Sequence, residues 1–352
     1  MSDDIRDLLT RPCGWLDSTA IADRAVISSR VRLARNLADH RFRRKLGKDD
    51  QRMLVRSLLP VIAEATGWAD ALQIDLESLP QQQRQALSER QLISRELAYS
   101  RSPGGAVLRA DQRACIMINE EDHLRLQVIG PGLDITGVLN SAIELDQRLE
   151  TRLRWATDST YGYLTACPTN LGTGLRISAM THLPALAAAD RLKQALSACK
   201  HLHMAVRGLF GEGSESAGDL YQISNQRTLG LTEEDLAGQL EETVGTLCRY
   251  EHMAREALLS HDRIRLEDGV FRAWGLLTQA RSLTSSELIE QLSWLRLGMD
   301  AGLLTFADWD AVDRLLVFAQ PAHMEIADRG ARDARSRDRL RATLVRSALQ
   351  AA

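Results

Sequence analysis

The chain has 352 residues, 44% apolar and 26% charged, with a formal net charge of −3, enough for one large or two medium domains. That charge leaves no footprint for nucleic acid, and no apolar run approaches the ~18–20 residues of a membrane span. Five cysteines without C-x-x-C spacing argue against structural zinc, and with an acidic, non-signal start they lead us to expect a cytoplasmic protein.

Residues 26–36 begin as a β-branched strand, with Arg30 and Arg32 on one face and Val31 and Leu33 on the other. Met53, Leu54, Leu58 and Ile62 predict a helix over 49–66. Residues 114–128 alternate clearly: Ile116, Ile118, Leu124, Leu126 and Val128 form an apolar set, and Asn119, Glu121, His123, Arg125 and Gln127 a polar one. Read as one strand, this puts Glu121 and Arg125 on a shared face and Glu120 opposite, unless a turn at 120–122 breaks the parity. Helical spacing returns over 140–154, and Tyr161–Ala166 reads as a strand. Leu175, Ile177 and Ala179 then alternate with Arg176, Ser178 and Met180. A helix over 190–205 ends near Arg207, and a glycine-rich loop occupies 208–218. Thr232 with Asp235, and Thr284 with Glu287, are helix-start signals. The last hundred residues read as all-helical, so the expected division is 1–254 and 255–352.

Residues 167–176 concentrate chemistry: Cys167, Pro168, Asn170, Gly172, Gly174 and Arg176 fall within ten positions. Proline fixes φ, and glycines let backbone approach a ligand closely. Lysine is scarce, confined to positions 45, 48, 193 and 200, and no G-x-x-x-x-G-K-[S/T] or ordinary protein-kinase motif is present. Any phosphates must therefore be gripped by arginine. Arg30, Arg32, Arg125, Arg176 and Arg207 supply planar donors for a triphosphate, and Glu121 and Glu212 supply forks for a guanidinium. Singly, each has a plainer reading: a solvated strand face for Arg30 and Arg32, a surface pair for Glu121 with Arg125, an inert thiol for Cys167, a helix cap for Arg207. A guanidinium acceptor demands strict alignment. Its pKa of ~13.8 means that freeing a lone pair at neutral pH costs on the order of 9 kcal/mol.

Ser28-Ser29-Arg30-Val31-Arg32, the Asn119–Arg125 stretch, Cys167–Thr173, Arg207–Glu212 and Ile223–Gln226 occur in the order that marks phosphagen (guanidino) kinases. The chain resembles that family's catalytic domain throughout. Metabolic members carry a helical domain of about a hundred residues before the first arginine motif. Here Ser28 lies near the start and a helical region follows, which resembles the protein-arginine kinase (McsB) branch. The resemblance implies an α+β fold, an antiparallel sheet flanked by helices with a helical C-terminal domain. It implies Glu121, Glu212 and Cys167 as catalytic residues. It also implies ATP contacts by Ser28, Ser29, Arg30, Arg32, Gln91, Arg125, Arg176, Ile177, Ser178, Ala179, Met180, Arg207, Gly208 and Gly211, with Mg²⁺ held through ATP and water and no protein ligand.

Gln91 departs from the histidine expected of relatives beside the nucleotide. Arg337, Asp338, Arg341 and Ala342 match the branch's phosphoarginine-binding motif, although a charged helix with i,i+4 pairs is the plainer reading. Expected partners are protein substrates, a zinc-finger activator, a heat-shock repressor, a Clp-type unfoldase or protease, and a second copy of the chain. The implied role is marking proteins for degradation. The rivals are a kinase for a free guanidino compound and a catalytically silent phosphoarginine adaptor.

Overall fold

The computed structural model describes residues 3–208, 217–328 and 330–350. Its centre is an antiparallel sheet of eight strands. These are β1 (Val26–Arg35), β2 (Leu72–Asp75), β3 (Gly105–Leu108), β4 (Ala114–Ile118), β5 (Leu124–Pro131), β8 (Leu175–His182), β9 (Met204–Gly208) and β10 (Leu220–Asn225), in the spatial order β2-β3-β4-β5-β1-β8-β10-β9. A small hairpin, β6 (Thr157–Asp158) and β7 (Gly162–Tyr163), lies apart. The expected strand over 161–166 shrinks to β7. The chain beyond Tyr163 instead turns early toward the cysteine stretch, its Leu164 N–H donating to Ala156 O.

The helices of the first part are α1 (Asp3–Thr10), α2 (Lys48–Thr66), α3 (Gln81–Glu89), α4 (Arg95–Tyr99), α5 (Ile135–Glu150), α6 (Pro184–Ala188) and α7 (Leu192–His201). Those that follow are α8 (Glu233–His261), α9 (Arg263–Gln279), α10 (Ser285–Asp300), α11 (Trp309–Phe318), α12 (Pro321–Ala327) and α13 (Ala334–Gln350). Thr232 and Asp235 close a reciprocal capping box on α8, and Thr284 accepts from Glu287 N–H to start α10. Helix α8 runs unbroken through 254–255, so no chain break marks the expected boundary there. Among the described residues no helix is long and apolar enough to cross a membrane.

Strand parity divides the sheet. Val31, Leu33, Leu126, Ile177, Ala179 and Ile223 turn to one face and pack with α2, α5 and α8 in the main core. The opposite face carries polar side chains, since Arg30 lies across from Ser178, Arg32 from Gln127 and Arg176, Ala34 from Arg125, and Gln222 from Arg207. The strands expected to carry arginines do so on this shared face.

Several distant segments are tied by one charged side chain bonding to backbone. Arg35 donates to Thr173 O (3.0 Å) and pairs with Asp146, its guanidinium 3.4 Å over the Tyr163 ring. Glu89 accepts from Ala322 N and His323 N at the start of α12. Glu251 accepts from Ala185 N and Leu186 N, and Arg341 donates to Ala319 O and Leu283 O.

Candidate active site

Two cavities lie over the polar face. The first, of about 470 Å³, is lined by Ser28, Arg30, Gln91, Ser178, Met180 and Gly208 among others. The second, of about 540 Å³, holds Glu120, Glu121, Cys167, Asn170 and Arg176. Arg32, Arg125 and Arg207 line both. This arginine wall is the site's main electrostatic feature. Burial first, and then neighbouring Arg176 and Arg125, push the Arg30 guanidinium down to about 10. Arg32 is lowered further by burial and by Arg30, Arg125 and Arg176, with Glu120 opposing. Its Nε is buried without a hydrogen-bond partner among the described residues. Arginines crowded this closely form a site that favours a polyanion.

Neutral groups complete the first cavity. Arg30 donates to Gln91 Oε1 (2.9 Å) and Gln222 Oε1 (3.0 Å). Gln91 itself adopts a positive φ of 61° and accepts from Gln127 Nε2 at its carbonyl. Gln91, where a histidine was expected, thus orients an arginine from within the cavity.

Three expected members of the site are placed differently. Ile177 and Ala179 send their side chains into the core, because strand neighbours of Arg176 and Ser178 must face the other way. Ser29 is likewise fully buried, accepting from Asp134 N and donating to Gly132 O. Arg207 lies in β9, six residues beyond the end of α7 at His201. Gly211 and Glu212 fall outside the described residues.

Residues 114–128 form a hairpin, β4 and β5 joined by a loop at 119–123, where a single strand was expected. The apolar set still shares one face, because Ile118 pairs with Leu124 and Ile116 with Leu126. The turn does overturn the separation of the glutamates: Glu120 and Glu121 both reach Arg125, at 2.8 and 3.5 Å. Glu120 is buried, whereas Glu121 is half-buried and opens on the second cavity, 3.9 Å from Arg44. Burial raises the Glu121 carboxyl above its ordinary value, against the lowering pull of Arg125. A carboxylate so placed is a stronger base than one in water.

The loop is pinned by residues that sequence reasoning missed. Asp122 Oδ1 accepts from Asn36 Nδ2 and Ala166 N, each at 2.6 Å, holding the cysteine stretch to the end of β1. His123 accepts from Leu37 N–H at Nδ1, so its Nε2–H donates to Arg41 O, and burial pushes it down to about 4. The only sequence signal was their place beside Glu121. Cys167 is the one cysteine that is not fully buried, its Sγ 3.0 Å from Thr169 Oγ1. Gly172 (φ 105°) and Gly174 (φ 66°) turn the chain where a Cβ would meet Thr228 O or Ala34 O at 2.7 Å.

On α13, Arg341 is buried, its Nη1 also donating to Asp338 Oδ1 (2.6 Å), and Arg337 pairs with Glu325 (2.7 Å). Ala342 is buried. The expected anion grip by Arg337 and Arg341 together does not exist in this arrangement, because Arg341 is committed to backbone carbonyls.

The model of the ATP:guanido phosphotransferase C-terminal catalytic domain matches residues 57–254, and that of the protein-arginine kinase McsB C-terminal domain matches 263–352. The chain is 38% identical to protein-arginine kinases of Shouchella clausii, over 96% of this chain and 94% of the relative, and of Halothermothrix orenii, over 98% and 99%. The chain belongs to the protein-arginine kinase family. Its fold is that of phosphagen kinases. The substrate-free duplicated taurocyamine kinase of Schistosoma mansoni superposes with a TM-score of 0.57 at 27% identity, over 72% of this chain and 39% of that longer one. Lombricine kinase shares the fold at TM-score 0.56 and 21% identity, over 73% of this chain and 76% of the other. The first family model ends at 254 within α8 and the second begins at 263, the first residue of α9, so a protein-arginine kinase helical region follows a guanidino-kinase sheet domain.

Proposed function

We propose that this chain is an ATP-dependent kinase that phosphorylates arginine side chains of proteins. The observation that carries the reading is the pair of cavities joined across Arg32, Arg125 and Arg207, with Glu121 and Cys167 on one side of that wall. A triphosphate in the first cavity would present its terminal phosphoryl to a guanidinium in the second. Arg30, Arg32, Arg125, Arg176 and Arg207 hold the phosphates, with Ser28, Ser178, Met180, Gln91 and Gly208 around the nucleotide. Glu121 and Glu212 grip the acceptor guanidinium, and Cys167 orients it. As the bond from phosphorus to nitrogen forms, the bond to the departing ADP oxygen breaks and the nitrogen's proton passes to a carboxylate. Positioning and charge neutralisation supply most of the catalysis, as in phosphoryl transfer generally.

Among the described residues no group of three or more His, Cys, Asp or Glu could hold a metal ion. Mg²⁺ would travel with the ATP phosphates and water, supplying charge neutralisation there. The chain is read as a catalytic domain over 1–254 and a helical domain over 255–352 that dimerises. Arg337, Asp338, Arg341 and Ala342 form the proposed phosphoarginine-sensing motif, in which Arg337 leaves Glu325 to take the phosphate while buried Arg341 braces Asp338. We further propose a cytoplasmic role in protein quality control, marking substrates for a Clp-type protease, with a zinc-finger activator and a heat-shock repressor as partners.

Incubation with labelled ATP, mixed proteins and free arginine tests the reading. Acid-labile label on protein is expected. Label on free arginine alone, or none, overturns it. Glu212→Ala should abolish transfer while ATP binding persists, and near-normal activity would sink the guanidinium clamp.

A further inference from the structure

The helical region supplies a wall of the first cavity through Ser285, Leu316, Val317, Gln320 and Pro321. If the first cavity receives ATP, as proposed above, the two ends of the nucleotide are fixed. The terminal phosphoryl must lie where the cavities meet, at Arg32, Arg125 and Arg207. The base must then lie at the opposite end, beyond Arg30 and Ser28, where apolar Trp15, Leu316 and Val317 offer surface for a flat ring.

Gln320 is a polar group in that wall, only 7% exposed. Its Nε2 donates to Leu316 O (2.9 Å) and its Oε1 accepts from Ser285 Oγ (3.2 Å). A carbonyl can only accept, so Leu316 fixes which way the amide points. One N–H and one lone pair of Gln320 remain for a ligand. Adenine presents N6–H beside the N7 acceptor, the complement of that pair, whereas guanine presents two acceptors, O6 and N7. We propose that Gln320, braced by Ser285, reads the adenine base, so that the helical region sets the nucleotide specificity of the sheet domain.

Arg341 holds these two residues in place. It donates from Nε to Ala319 O (2.7 Å), next to Gln320, and from Nη1 to Leu283 O (2.8 Å), two residues before Ser285. Arg341 is a positioning residue for the base end, acting through backbone.

The test measures binding of ATP, GTP and inorganic tripolyphosphate to the full chain by calorimetry. Tripolyphosphate engages the arginine wall and has no base. Wild type should prefer ATP over GTP. Gln320→Leu should weaken ATP about tenfold, bring the ATP-to-GTP ratio toward one and leave tripolyphosphate unchanged. Ser285→Ala, a milder change, should weaken ATP about threefold with tripolyphosphate again unchanged. An unaltered ATP-to-GTP ratio in Gln320→Leu overturns the inference while the kinase reading stands. Equal loss of ATP and tripolyphosphate in both variants overturns it too, since that marks general damage to the cavity. A wild type that binds tripolyphosphate but no nucleotide would remove the kinase reading itself.

Discussion

Replacing Arg32 with methionine should stabilise the protein and destroy its activity together. Arg32 stands among Arg30, Arg125 and Arg176, opposed by Glu120, with its Nε buried and unpaired among the described residues. Like charges about 7 Å apart, at an effective dielectric near 40, repel by roughly 1 kcal/mol each. Three such neighbours less one opposing carboxylate leave about 2 kcal/mol, and the unpaired buried donor adds about 1 kcal/mol. Methionine keeps most of the aliphatic stem in contact, so little packing is lost. Allowing for solvent screening, Arg32→Met should gain about 2 kcal/mol, a rise in melting temperature of roughly 3 °C for a chain this long. Phosphoryl transfer should fall at least a hundredfold, the scale on which removing one preorganised charge-stabilising donor acts. Scanning calorimetry in phosphate-free buffer, paired with the labelled-ATP assay, reads both. A lower melting temperature, or activity within tenfold of wild type, would refute the idea that the site stores unneutralised positive charge for its ligand.

Asp122→Ala should strand one N–H of buried Asn36, whose Nδ2 keeps its bond to Leu164 O, and the half-buried Ala166 N–H, costing about 1–3 kcal/mol. It should also lower kcat more than it raises the ATP KM, and a proportionate loss in both would count against a role in holding Cys167. His123 is buried neutral with its folded value near 4, below the ordinary 6.5. Its contribution is complete above pH 6.5 and is lost as pH falls toward 4, by up to about 3 kcal/mol. His123→Gln should flatten that limb of a melting-temperature profile, and an unchanged profile would remove His123 as the cause. Asp338→Ala should weaken binding of free phosphoarginine, measured by calorimetry, with basal transfer retained.

Strand alternation made the arginine face legible, since Arg30, Arg32, Arg125 and Arg176 follow a period of two that survives in the folded sheet. The same rule turns the Ile177, Ala179 and Ser29 side chains to the core, because contiguity in sequence alternates sides in a strand. The separation of Glu120 from Glu121 by face fails for a different reason. The apolar parity across 118 and 124 is identical for a continuous strand and for a hairpin with an odd number of loop residues, so periodicity alone could not expose the turn. Asp122, Gln222 and Gln320 were invisible because their partners lie 44, 192 and 35 residues away, beyond any local pattern. Arg341 matched a motif by residue type, and burial gave it a structural duty that residue type cannot convey.

The ties from charged side chains to main chain have a consequence for how this molecule tolerates change. Glu89, Glu251 and Arg341 each grip peptide groups, so each joint is fragile at one end only. Swapping Ala185, Leu283 or Ala319 for a residue of similar size leaves the gripped N–H or C=O in place, whereas truncating the gripping side chain strands both. Proline is the exception at Ala185 and Ala322, where it would remove the donated hydrogen. A saturation scan would find these joints lopsided, and pairwise covariation between their two ends would be weak even though the contact is direct.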